Sequence, residues 1–160
     1  EAVATMAHIA QYTEERVPGI WRRAHPPTKG CDIAEAVSHA ATETAADLRA
    51  AAIITPTASG YTARMVARYR PQAPIVAVTP SLVTQRQMTL YWGVCALQTR
   101  PTTNTDEMIA EAVQATLEHG WVQAGQTVVI TGGTAGSARG TTNMITVRVV
   151  GAEAVEQCPA

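Results

Sequence analysis

Hydrophobic positions along this 160-residue chain recur with two different periods, and the alternation of the two sketches a fold. Residues 1 to 16 set Val3, Met6, Ile9 and Ala10 on one stripe, with the glutamates and Gln11 elsewhere, which predicts an amphipathic helix. No capping residue precedes it, so the pattern reads as the end of something longer. Residues 17 to 30, VPGIWRRAHPPTKG, hold three prolines and two glycines and read as a connector in which Trp21 is a candidate anchor. Asp32 followed three positions later by Glu35 has the spacing of a capping box. A helix follows to about residue 48, and its periodicity puts Ile33, Val37, Ala40, Ala41, Thr44 and Leu48 on the inner face. A short apolar strand is predicted at 51–55, then the turn TPTASGYT, then a helix from about 60 to 69.

Downstream the alternation repeats. Ile75 to Val78 reads as a buried strand, Ser81 to Leu90 as a helix and Gly93 to Leu97 as a strand. Thr105 is placed to cap a helix reaching His119, with Asp106 and Glu107 in the first turn, where the helix dipole favours acids, and Gly120 at its end. Thr127 to Thr131 and Thr142 to Val150 are β-rich runs joined by GGTAGSARG. Strand–helix alternation implies a parallel sheet covered on both faces. The last connection is too short for a crossover, so the final strand should be antiparallel and at an edge. The predicted fold is therefore α/β, a three-layer α/β/α sandwich on a five-stranded mixed sheet. It forms one domain from residue 31 to 160, with helix 1–16 and connector 17–30 before it.

Composition narrows the function classes more than it selects one. Apolar residues make up 46% and charged residues 16%, as in a globular domain with a sizeable core. A net charge of −1 gives no bulk attraction to nucleic acid or an acidic membrane, and no apolar run approaches the roughly 20 residues that span a bilayer. Cys31, Cys95 and Cys158 are odd in number and widely spaced, which points to neither a disulfide framework nor a zinc site and suits a reducing cytoplasm. No metal site is expected, and no catalytic constellation assembles: there is no G-x-S-x-G elbow, and Lys29 is the single lysine.

Two loops are the candidate sites, because ligands in open α/β sheets collect at the carboxyl ends of the strands. In TPTASGYT, the amides near Ser59 and Gly60 and the hydroxyls of Thr57, Ser59 and Thr62 form an anion cradle on one reading. On the other, Ser59 caps the helix and Gly60 only permits a tight turn. Gly132 to Gly140 carries four glycines with Thr134, Ser137 and Arg139, yet lacks the Gly-Lys-Ser/Thr ending of a P-loop and continues into a strand. It reads as a flexible hairpin, or as the second half of a clasp around one anionic ligand.

Several segments carry a family likeness. The runs IITPTASGYTARMVARYRPQAPIVAVTPS, LYWGVCAL, TDEMIAEAV, GQTVVITGG and GTTNMITVRVVG closely resemble, in the same order, the C-terminal domain of pyruvate kinases. EAVATMAHIAQYTEE is similar to the final helix of that family's catalytic barrel. The resemblance implies a chain without the barrel, inactive alone, that serves a parent enzyme using Mg²⁺ and K⁺ to transfer phosphoryl from phosphoenolpyruvate to ADP in the cytoplasm. It further implies an allosteric domain that binds a phosphorylated effector and assembles subunits, a tetramer in the parent. Carried over by position, Thr57, Ser59, Gly60, Tyr61 and Thr62 would hold an effector phosphate, and Gly133, Thr134, Gly136, Ser137 and Arg139 would cover the ligand. Ala58 and Tyr61 stand where bisphosphate-activated members often have lysine and arginine, so a sugar monophosphate or AMP is the expected effector. The alternative reading is an assembly module of the same fold that has lost effector binding.

Overall fold

A computed structural model describes residues 1–16, 30–138 and 140–151. The connector at 17–29 with Trp21, the loop residue Arg139 and the tail at 152–160 with Cys158 lie outside the described residues. Helix α1 (Ala2–Arg16) precedes helix α2 (Ile33–Asp47). There follow β1 (Ala52–Pro56), α3 (Tyr61–Ala67), β2 (Ile75–Thr79), α4 (Leu82–Met88) and β3 (Val94–Gln98). Helix α5 (Thr105–Glu118) and the strands β4 (Thr127–Gly132) and β5 (Met144–Val149) complete the order.

The strands form one five-stranded sheet in the order β3-β2-β1-β4-β5, parallel except for the β4–β5 pair. Successive residues of a strand point to opposite faces, and both faces here are apolar. Ile54, Val76, Val78, Val128 and Ile130 pack with Ile109 and Ala112 of α5 on one side. On the other, Ile53, Ile75 and Val129 meet Ala41 and Ala45 of α2 and Val66 of α3, while Ala77 meets Met88 of α4. The expected α/β/α sandwich with an antiparallel last strand is the observed fold. Among the described residues no helix is long and apolar enough to cross a membrane.

Two local expectations need correcting. The cap on α2 is as expected, with Asp32 accepting from the Glu35 amide at 2.7 Å, but the face that α2 turns inward is not. It buries Ala34, Ser38, Ala41, Thr42 and Ala45, leaving Ile33 70% and Leu48 47% exposed. Only alanine, serine and threonine are short enough to bring the helix backbone close to the sheet. Thr105 does not cap α5; Asn104 does, accepting from the Glu107 amide at 2.8 Å, which leaves the Thr105 hydroxyl for another partner. Helix α1 forms as expected; it buries none of its residues, and Val3, Met6, Ile9 and Tyr12 lie open along it. It touches the sandwich where Trp92 Nε1 donates to Glu14 Oε1 at 3.2 Å.

Strand order also fixes where a ligand belongs. From β1 the chain moves outward through β2 to β3, then returns through α5 to place β4 on the opposite side of β1. The direction of winding thus changes between β1 and β4. Their carboxyl ends are the topological switch point, at which open sheets leave a crevice.

Candidate functional site

Both candidate loops leave from that switch point. After β1, the Thr57 amide donates to the Val78 carbonyl at 2.9 Å, holding the turn against the neighbouring strand. Gly60 is the N-cap of α3 with φ 77, a left-handed conformation that side chains resist. A Cβ on Gly60 would also lie 3.0 Å from Cγ of Met88. Its amide donates to Thr57 Oγ1 at 3.0 Å, so this donor is turned inward and not toward a ligand, contrary to the sequence-based expectation. Ser59 is not the cap; it stands exposed at the rim. Thr84 of α4 donates its hydroxyl to the Ala58 carbonyl at 3.0 Å and pins the far side of the turn.

The second loop is held from three directions. The Asn143 side chain accepts from the Thr134 amide at 3.2 Å, and the hydroxyl of Thr105 accepts from the Ala135 amide at 3.0 Å. Within the loop, Ser137 Oγ donates to the Thr134 carbonyl at 2.6 Å and Thr141 donates to that of Ala138 at 2.8 Å. Gly133 sits where the ends of the loop cross: an added Cβ would come within 2.6 Å of the Thr141 carbonyl oxygen and 2.8 Å of Ser137 Oγ. The described part of this loop is thus internally bonded, with a required glycine at its crossing.

Between the loops lies a cavity of about 240 Å³. Thr57, Ser59, Tyr61 and Thr62 line it from the first loop, and Gly133, Thr134, Gly136 and Ser137 from the second. Gly60 lies behind this wall, shaping it. Thr62 contributes less chemistry than its hydroxyl promised, because that hydroxyl is buried and bonded to Thr142 at 2.8 Å. Its amide remains a first-turn donor of α3, and such amides have no acceptor within their own helix.

The remaining wall comes from other elements. Pro80, the run Thr99 to Thr102 after β3, and Met108 and Glu111 of α5 all face the cavity. Arg100 there bonds through Nε to Glu111 Oε2 at 2.8 Å and lies 3.7 Å from Glu107 Oε1. The bond from Glu111 and the charges of both acids raise the arginine pKa further above its usual value. One signal for this wall was present in the sequence: Glu107 and Glu111, four positions apart, share a helix face, beside the carboxyl end of a strand. Elsewhere, Arg68 pairs with Glu35 at 3.4 Å and Arg64 is exposed. Cys31 and Cys95 are free thiols, and burial raises the pKa of Cys95. Among the described residues no three acids, histidines or cysteines are grouped to hold a metal ion.

The family model for the pyruvate kinase α/β domain matches residues 35–148. The chain belongs to the pyruvate kinase family. It is 44% identical over 152 residues to a pyruvate kinase of Bacillus licheniformis, an alignment covering 94% of this chain and 26% of that protein. Pyruvate kinases of Clostridium acetobutylicum and Geobacillus stearothermophilus match at 42% and 40% identity, each over 94% of this chain and over 32% and 26% of their own lengths. The chain thus spans between a quarter and a third of the length of these relatives, and the part it shares with them includes the α/β domain.

Proposed function

We propose that this chain is the effector-binding and subunit-packing domain of a cytoplasmic pyruvate kinase, the parent transferring phosphoryl from phosphoenolpyruvate to ADP with Mg²⁺ and K⁺. The observation that carries the effector role is the cavity shared by the loops after β1 and β4, at the switch point of the sheet. One side of it offers hydroxyls and backbone amides, which suit a phosphate monoester; the opposite side offers the Glu111 carboxylate, which accepts bonds from sugar hydroxyls. A sugar monophosphate or AMP fits both sides. Catalysis belongs to the remaining length of the parent, so no residue here has a catalytic role.

A ligand that binds only the folded chain must stabilise it, by about 2.7 kcal/mol at one hundred times its Kd. Glucose 6-phosphate, AMP or inorganic sulfate is expected to raise the melting temperature of this chain. Ser59→Glu puts a negative charge at the rim and should abolish the rise; an unaltered rise would place the ligand elsewhere. The alternative, a packing module without an effector, is favoured by a single observation: Arg100, the cation described in the cavity wall, is already engaged by two acids. Calorimetry against the same three compounds separates the readings, since the alternative requires no heat of binding from any of them.

A further inference from the structure

We draw no further inference here: the strongest candidate, the open groove between the end of α3 and residues 90–92, lined by Arg64, Arg68, Arg70 and Leu90, carries nothing because Tyr61, Glu35 and Trp92 already engage its arginines and nothing in the structure shows what covers it.

Discussion

Thr62 and Thr142 are 80 positions apart in sequence, yet their hydroxyl oxygens meet at 2.8 Å behind the cavity, each residue almost fully buried. The bond ties the first turn of α3 to the segment returning from the glycine loop, and so fixes the spacing of the two walls. Thr62→Val leaves the Thr142 hydroxyl buried without this partner, a cost of about 1–3 kcal/mol. Replacing both by valine removes donor and acceptor together and should recover most of that loss. Urea unfolding of the two single variants and the double variant checks this, with a coupling of at least about 0.5 kcal/mol expected; additive losses would mean the bond contributes nothing of its own. The same pair shows what was hidden in the sequence. TPTASGYT announced a polar turn after a strand, and the glycines of 132–140 announced a second loop. Nothing local announced that Thr142 would take up the Thr62 hydroxyl, that Thr57 would take up the Gly60 amide, or that Arg100 would arrive with two acids. Those contacts are set by the order of strands, which periodicity does not encode.

Among the elements, α2 is where periodicity misled and where pH should be felt. An apolar stripe marks a buried face only if the helix has one partner. Here the small residues face the sheet, and the large ones, Ile33 and Leu48, face away. Strands were easier to read, since β1, β2 and β4 are buried on both faces and show as unbroken apolar runs. At the edge, Ile75 donates to the Gly93 carbonyl and Thr99 to that of Thr79, so by alternation the Ala96 carbonyl points outward from β3. Gln85 of α4 donates to it at 3.0 Å and covers that edge. Where α2 meets the end of α3, Tyr69 is 2% exposed, packs its ring edge-on to His39 and reaches the Glu35 carbonyl at 3.4 Å. Burial, reinforced by the Glu35 charge, raises its pKa. The unfolded chain therefore releases the phenolic proton first, near pH 10. The stabilising contribution is complete below that pH and is lost as pH rises through the folded value. Tyr69→Phe should consequently flatten the fall of melting temperature above pH 10 relative to wild type, while the two chains run parallel between pH 6 and 9. Equal slopes in the alkaline range would show that the phenol ionises freely in the folded state.

At the scale of the molecule, the two ends of the sheet are treated differently, and that difference suggests how copies would meet. The β3 edge is guarded by Gln85, whereas β5 is the other edge and carries Val147 and Val149 at 42% and 45% exposure. Val147 stands opposite Val129, which packs on α2, so these valines face the same side of the sheet as that helix. Ile33 and Leu48 lie open on the outer surface of α2. Among the described residues no strand lies beyond β5, and an edge strand flanked by apolar side chains is a template for pairing with a second copy about a two-fold axis. Strand pairing alone buries too little for a stable interface, which needs about 1,200–2,000 Å² in total, so the helix surface must take part. If copies assemble this way, Val147→Glu and Ile33→Lys should each shift the chain toward monomer in sedimentation velocity. Neither should change the melting temperature of the monomer by more than about 0.5 kcal/mol equivalent, because both positions are exposed on a single chain. Wild-type chain that stays monomeric at high concentration would remove the packing role, and so would a dimer indifferent to both substitutions. Neither Val147 nor Ile33 lines the cavity, so the same variants should bind fructose 6-phosphate as the wild type does. An effector would then act on assembly only by favouring one arrangement of copies over another, to the extent of its difference in affinity for the two.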